Sequence, residues 1–305
     1  MRLVFAGTPE VAVPSLDALA GAGHDVVAVV TRPDAPSGRG RRLTESPVAA
    51  RAAALGIEVL KPERPSDEAF KSRLRELAPD VCPVVAYGAL LPQSVLDIPR
   101  LGWVNLHFSL LPRWRGAAPV QRAIMAGDDR IGTSTFRIVR ALDAGDVYRT
   151  DSIPMPDSTA GELLAALSLS GARQLVETVA AIDAGERPVP QPEEGVTYAS
   201  KVTVDDARLD FTLDAERLRN LVMGCSPDPG AWCELDGQRF KVFRARLAEA
   251  GANGLEPGEL QLQGNRVLVG TGGGQLELLE VQAPGKRRIG AADWARGGHA
   301  RAVLR

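Results

Sequence analysis

The sequence predicts an α/β domain with a Rossmann-like, mostly parallel sheet covered by helices on both faces, followed by a small β-barrel (OB-like) C-terminal domain. Three observations carry this expectation. Short apolar runs alternate with helical patterns through the first half of the chain, as a parallel sheet with helix-covered faces requires. From Gly185 the chain turns to Glu-Arg-Pro-Val-Pro-Gln-Pro-Glu-Glu-Gly, too rich in proline for a helix and too polar for a core. Beyond Leu209, short strands are separated by hairpin signals, the pattern of a small barrel of the oligonucleotide-binding type. A chain of 305 residues also exceeds the usual single-domain size, so two cores are expected. The resulting organisation is an α/β domain over residues 1–184, a linker over 185–208 and a C-terminal domain over 209–305.

The elements follow in order. Arg2 to Ala6 is a short buried strand, and the Gly7-Thr8-Pro9 turn leads into a helix marked by Val11, Leu16 and Leu19 that ends near Gly21 or Gly23. Asp25 to Val30 is the second strand. Ser46-Pro47 has the form of a helix N-cap with proline in the first turn. Ile57–Leu60, Val81–Ala86 and Gly102–His107 supply three more strands. After Leu209, the spacing of Leu213, Leu218, Leu221 and Val222 predicts a helix. Asp236-Gly237 then predicts a tight turn between Trp232–Leu235 and Phe240–Phe243, and Gly264-Asn265 another between Leu260–Leu262 and Val267–Val269.

Composition narrows the class. With 45% hydrophobic and 24% charged residues the chain has the make-up of an ordinary globular protein. A net charge of −2 gives no global argument for a nucleic-acid partner, so any such argument must be local. Cys82, Cys225 and Cys233 are odd in number and form no Cys-x-x-Cys pair, so neither a disulfide framework nor a zinc site is expected. His24, His107 and His299 show no metal-ligand spacing, and no metal is expected. The amino terminus has too short an apolar run for a signal peptide, and no later stretch approaches membrane-spanning length, so a cytoplasmic location is expected. No unusual apolar helix invites pairing, which favours a monomer.

In open sheets of this kind ligands lie beyond the carboxyl ends of the strands. Gly7-Thr8-Pro9, Ala86-Tyr87-Gly88 and His107-Phe108-Ser109 fall at such ends and converge on one crevice. Alternation along the strand makes Asn105 and His107 face the same way, with Leu106 opposite. By spacing alone a histidine at a strand end is more often structural than catalytic, and Asp143 is an ordinary turn residue before Gly145. Gly7-Thr8-Pro9-Glu10 is not a Gly-x-Gly-x-x-Gly fingerprint, which argues against a dinucleotide cofactor. Between Thr31 and Leu43, Arg32, Arg39, Arg41 and Arg42 outnumber Asp34, while Pro33, Pro36, Gly38 and Gly40 are expected to keep the segment out of regular structure as a mobile basic loop. In an arginine-rich chain a merely solvated loop is the alternative. Cations and acids nearly balance after Leu209, where Lys286-Arg287-Arg288 is the one cluster.

Asn105-Leu106-His107, the run Ser109-Leu110-Leu111-Pro112-Arg113-Trp114-Arg115-Gly116 and Leu142-Asp143-Ala144-Gly145 together resemble the signature of the 10-formyltetrahydrofolate-dependent formyltransferases. The likeness extends from Gly7-Thr8-Pro9-Glu10 through Arg32-Pro33-Asp34 and Gly38-Arg39-Gly40 to Ser226-Pro227-Asp228-Pro229-Gly230-Ala231-Trp232. It implies transfer of formyl from 10-formyltetrahydrofolate to the α-amino group of methionyl initiator tRNA, with Asn105, His107 and Asp143 catalytic. It further implies that Ala86, Tyr87, Gly88 and Leu90 line a pterin pocket and that Ser109, Leu110, Leu111 and Pro112 bind the folate. Arg32, Arg39, Arg41 and Arg42 would contact the tRNA, as would Lys286, Arg287 and Arg288 in an RNA-binding barrel. The pattern is varied at Val11, Phe108, Ser226, Asp228 and Arg137–Ala141, none of which removes a catalytic group. A small-amine acceptor, a folate hydrolase and a non-catalytic RNA-binding protein are the alternatives; the basic segment and the extra barrel argue against the first.

Overall fold

The computed structural model describes residues 1–37, 42–249, 254–299 and 303–305. In chain order the first strands are β1 (Arg2–Gly7), β2 (Asp25–Val30), β3 (Ala35–Ser37), β4 (Arg42–Thr44), β5 (Glu58–Leu60), β6 (Cys82–Val85) and β7 (Trp103–His107). Among them lie α1 (Val13–Gly21), α2 (Pro47–Ala54), α3 (Glu68–Leu77) and α4 (Gln93–Leu96). There follow β8 (Arg115–Gly116), α5 (Pro119–Ala126), β9 (Arg130–Arg137), β10 (Val147–Pro154), α6 (Ala160–Asp183) and β11 (Tyr198–Ala199). The remainder holds α7 (Ala215–Gly224), β12 (Ala231–Leu235), β13 (Gln238–Leu247), β14 (Leu260–Gln263), β15 (Arg266–Gly270), β16 (Gln275–Gln282), β17 (Ile289–Gly290) and α8 (Ala291–Trp294). Two compact units result: Met1–Gly116 with Ile131–Ile153 and Leu164–Tyr198, and Ala117–Arg130 with Pro154–Leu163 and Ala199–Arg305.

The first unit is built on a seven-stranded sheet of order β10-β9-β7-β6-β1-β2-β5. Its β7-β6-β1-β2-β5 portion is parallel, and β9 runs antiparallel to β7. Strand order reverses between β1 and β6, the place where such sheets open a crevice at their carboxyl ends. Thr8 Oγ1 donates to the Tyr87 carbonyl across that gap, at 2.8 Å. On one face Val4, Ala6, Val84 and Trp103 pack with Phe70, Leu74 and Leu77 of α3 and with Val95 and Leu96 of α4. Asn105 pairs in register with Val84 and therefore points to this face, while Leu106 points to the other. There Leu106 meets α6 so closely that a Cβ at Gly171 would lie 2.8 Å from its Cδ2. The expected α/β architecture is thus present. So is the cap of α2, where Ser46 Oγ accepts from Ala49 N–H at 3.0 Å ahead of Pro47.

Two features depart from expectation. The basic segment is not irregular throughout: β3 and β4 pair antiparallel, with Ala35 opposite Thr44, Pro36 opposite Leu43 and Ser37 opposite Arg42. A two-stranded ribbon has outward positions where proline's missing N–H costs no ladder bond, so Pro36 does not prevent pairing. Arg39 and Arg41, with Gly38 and Gly40, lie outside the described residues. Strands β9 and β10 and the 24-residue α6 were also not anticipated. Strand β9 is buried yet polar in its middle, and its polarity is satisfied only in three dimensions. Thr133 Oγ1 donates to Gln174 Oε1 at 2.6 Å, and the Thr135 and Thr178 hydroxyls meet at 2.8 Å. A strand stabilised this way shows no apolar alternation.

The second unit is an antiparallel sheet of order β12-β13-β16-β15-β14 with β17 pairing β16, consistent with a small barrel. The two expected hairpins are present. At the first, Asp236 (φ 52°) and Gly237 (φ 72°) both adopt the left-handed region that a two-residue turn of the I′ kind demands. Register shifts around Arg244 mark an irregularity in the β13–β16 ladder, a device that bends a sheet. Helix α7 is capped by Asp214, whose carboxylate accepts from Arg217 N–H at 2.8 Å. Its Leu218 and Val222 join Phe240, Val242, Val267, Leu278 and Trp294 in one core. Phe240 and Trp294 rings lie 4.5 Å apart between centroids. Glu277, nearly buried, is held by Arg246 at 3.0 and 3.1 Å and by Arg266 at 2.9 Å. Phe240→Ala is expected to destabilise this unit by about 3–5 kcal/mol, the range for emptying a fully buried aromatic site; urea unfolding followed by tryptophan fluorescence measures it.

Candidate functional site

His107 closes β7 with only 6% of its surface exposed. Its Nε2 lies 2.9 Å from the Trp114 carbonyl oxygen. A carbonyl can only accept, so Nε2 carries the hydrogen and Nδ1 holds the lone pair in the neutral ring. Nδ1 in turn faces Asp143 Oδ2 at 4.0 Å, too far for a hydrogen bond and close enough for a strong electrostatic interaction. Burial lowers the imidazole pKa below its usual 6.5; Asp143, and after it the Trp114 carbonyl, oppose that fall without cancelling it. The ring is therefore a neutral base near neutral pH.

Both partners of the histidine sit on unusual backbone. Trp114 has φ 63° and Asp143 φ 46°, conformations costing a non-glycine residue of order 1–3 kcal/mol. At Trp114 this turns the carbonyl toward His107. At Asp143 it presents the carboxylate, whose Oδ2 also accepts from Gly116 N–H at 2.7 Å. Gly145 allows the Leu142–Gly145 turn to close against β9, because a Cβ there would fall 1.7 Å from the Arg137 carbonyl oxygen. Asn105, half-buried on the same strand as His107, makes no hydrogen bond from its side chain to another described residue, leaving the amide free to meet a ligand. The edge of His107 packs on Phe136, at 6.2 Å and 84°.

These features stand beside the other expected segments of this unit. Ala86 (φ 48°) and Gly88 (φ 83°) follow β6 with exposed backbone in the left-handed region. Tyr87 between them buries its ring in the sheet core, and Leu90 is 83% exposed. Ser109 is fully buried: its Oγ donates to the Arg113 carbonyl at 2.7 Å, and its own carbonyl accepts from Ser134 Oγ at 2.8 Å. Leu111 N–H also donates to Ser134 Oγ, at 3.2 Å, while Leu110, Leu111 and Pro112 remain half-buried. The loop is thus pinned beneath and partly open above.

The chain matches the formyl transferase family over residues 1–179 and the formyl transferase C-terminal domain over residues 201–299. The methionyl-tRNA formyltransferase of Thermobifida fusca is 60% identical over 299 residues, covering 97% of this chain and 96% of its own. That of Streptomyces coelicolor is 58% identical over 300 residues, with 97% and 96% covered. The chain belongs to the formyl transferase family, among the methionyl-tRNA formyltransferases. The fold is shared with the N-formyltransferase from Helicobacter canadensis, solved in complex with folinic acid and dTDP-3-aminofucose, at a TM-score of 0.70 and 15% identity over 91% of this chain and 98% of that one.

Within this formyl transferase, the arginines of the basic segment differ in their engagement. Arg32 is half-buried and donates from Nη1 to the Glu63 carbonyl at 3.4 Å, whereas Arg42 on β4 is exposed. Lys286 and Arg287 are exposed in the second unit; Arg288 pairs with Glu280 and stacks over Phe243 at 4.6 Å, so its charge is already partly met. Sequence reasoning missed the Trp114 carbonyl, the Gly116 amide and Ser134. Main-chain groups carry no side-chain signature, and Ser134 is one hydroxyl in a polar strand. Among the described residues no group of His, Cys, Asp and Glu is arranged to hold a metal ion. Gly145→Ala should leave the protein folded by circular dichroism and lower the formyl-transfer rate by about 10²-fold, the loss that accompanies ångström-scale misplacement of a catalytic group.

Proposed function

We propose that this formyl transferase moves the formyl group of 10-formyltetrahydrofolate onto the α-amino group of methionyl initiator tRNA, giving N-formylmethionyl-tRNA for translation initiation in the cytoplasm, and that it acts as a monomer. The observation that carries the chemistry is the buried His107, with Nε2 committed to a carbonyl and Nδ1 turned toward a carboxylate. The acceptor follows from relatives that share about six residues in ten and bear that name.

The residues fit a folate. Exposed main chain at Ala86 and Gly88, the open side of Leu110, Leu111 and Pro112, and the apolar Leu90 offer the mixture of hydrogen-bonding edge and apolar wall that a flat heterocycle needs. When bound, the folate supplies a formyl carbonyl attached to N10. His107 Nδ1 accepts a proton from the attacking amine as the new C–N bond forms. The free amine has an ordinary pKa of about 7.7–8.0, so it needs little help to reach the neutral form. The Asn105 amide donates to the carbonyl oxygen as the π pair moves onto it. The oxygen's electron pair then re-forms the C=O bond as the C–N10 bond breaks, and the imidazolium, stabilised by Asp143, returns the proton to N10.

Arg32, Arg39, Arg41 and Arg42 in the first unit, and Lys286, Arg287 and Arg288 in the second, are the cations proposed to meet RNA. Phosphate contacts of this kind orient a partner and weaken with salt. Arg42→Ala is expected to weaken discrimination between initiator and elongator methionyl-tRNA more than it slows formylation of the initiator, measured by parallel kinetics on the two.

The direct test is formyl transfer to methionyl initiator tRNA by wild type and by two variants. Asn105→Ala should lose about 10²–10³-fold in rate, as removal of one oxyanion donor does; His107→Ala should lose at least as much while retaining RNA binding. Equal rates for His107→Ala and wild type would remove the mechanism. The pH profile gives a further check. Two groups must be neutral, the substrate amine with its ordinary pKa of about 7.7–8.0 and His107, which burial holds below the ordinary 6.5, so the rate should fall first through the amine's range and again, more steeply, only below 6.5. A His107 titration followed by NMR and centred above 6.5 contradicts the assignment.

A further inference from the structure

The polar stretch after α6, expected to be a linker, takes hold of the site at two points. Gln191 Nε2 donates to the carbonyl oxygens of Asp143 at 2.8 Å and Gly145 at 2.7 Å. Its Oε1 accepts from Arg115 Nε at 3.2 Å and Arg115 Nη2 at 2.7 Å. Both amide hydrogens and both lone pairs are therefore used, an arrangement that a slack connection does not produce. The effect is to tie the Leu142–Gly145 turn to β8, whose Gly116 N–H holds the Asp143 carboxylate. Asp143 is thus fixed from its side chain and from its own main chain, in a backbone conformation that persists only where the surroundings hold it.

Thr197 makes the second attachment. Its Oγ1 accepts from Trp114 N–H at 2.8 Å, and its carbonyl accepts from Arg115 N–H at 2.9 Å. Trp114 is the residue whose inverted backbone delivers a carbonyl to His107 Nε2. One short segment consequently braces the acceptor on Nε2 and the carboxylate opposite Nδ1. Among the described residues the charged group that acts on this ring is Asp143; the Trp114 carbonyl accepts from Nε2, and the ring makes an edge contact with Phe136.

We propose that Gln191 and Thr197 are positioning residues for formyl transfer: Gln191 sets Asp143 and Thr197 sets the Trp114 carbonyl, so the segment between α6 and β11 fixes both partners of His107. This rests on the reading of His107 as the proton-transfer group. It assigns to the connecting segment a part in catalysis that its composition conceals. Arg115 then serves to orient Gln191 and does not need to touch substrate.

The test uses the full chain, with Gln191→Ala, Thr197→Val and Thr197→Ser, reading kcat and KM for both substrates and titrating His107 by NMR. Gln191→Ala should lower kcat by about tenfold or more with KM nearly unchanged, since a catalytic group has moved and binding surfaces have not. It should also move the His107 pKa further below that of wild type, because the carboxylate that opposes the effect of burial is no longer held. A purely structural role lowers the active fraction and leaves the titration where it was. Thr197→Ser, which keeps the accepting hydroxyl, should match wild type while Thr197→Val loses rate. An unchanged kcat and titration in Gln191→Ala overturn the proposal. Should that variant fail to fold, equal behaviour of Thr197→Ser and Thr197→Val overturns it. Absence of formyl transfer by wild type counts against the functional reading alone, because the His107 titration still judges the positioning roles.

Discussion

The hydrogen bond from His107 Nε2 to the Trp114 carbonyl is the constraint on which the proposed chemistry depends, because a carbonyl accepts and never donates. It decides which nitrogen carries the proton. With Nε2 committed, Nδ1 becomes the basic atom and lies opposite Asp143. Burial keeps the ring neutral and ready to accept; the carboxylate keeps the protonated form from being prohibitively costly once it forms. Burial, which lowers the pKa, and the carboxylate, which raises it, act in opposite senses on the imidazole proposed to carry the proton.

That single bond demands much of the surrounding chain. Trp114 and Asp143 occupy backbone regions that non-glycine residues avoid, and each is tied from several sides. Gly116, Thr197 and Gln191 hold them, while Gly145 removes the Cβ that would keep the turn from closing. Beneath the site, Leu106 seats β7 against Gly171 of α6, and the alternation of the strand then sends Asn105 and His107 to the opposite face. Local strain at the site is balanced by packing and hydrogen bonds in the rest of the unit, as is common where geometry serves chemistry.

Much of this was legible in the sequence. Strands β1, β2, β6 and β7 announce themselves as short apolar runs, and Ser46-Pro47 and Asp236-Gly237 name a cap and a turn by their own local chemistry. The pairing of Asn105 with His107 needs nothing beyond the period of a strand. Strand β9 was hidden because its buried threonines are satisfied by Gln174 and Thr178, residues about forty positions away. The ribbon formed by β3 and β4 was hidden because Pro36 suggests irregularity even though a two-stranded ribbon has positions that tolerate proline. Trp114 escaped because it acts through its main chain. Gln191 escaped because its neighbours in sequence are polar and proline-rich, and its partners are distant in the chain.

The tautomer of His107 is the most direct test of the account. Nitrogen-15 NMR of the neutral imidazole distinguishes a protonated Nε2 from a protonated Nδ1 without reference to any substrate. A hydrogen on Nε2, with Nδ1 showing the shift of an unprotonated nitrogen, is the predicted result. A hydrogen on Nδ1 would mean that the Trp114 carbonyl does not hold the ring as described, and the assignment of Nδ1 as the base would be wrong.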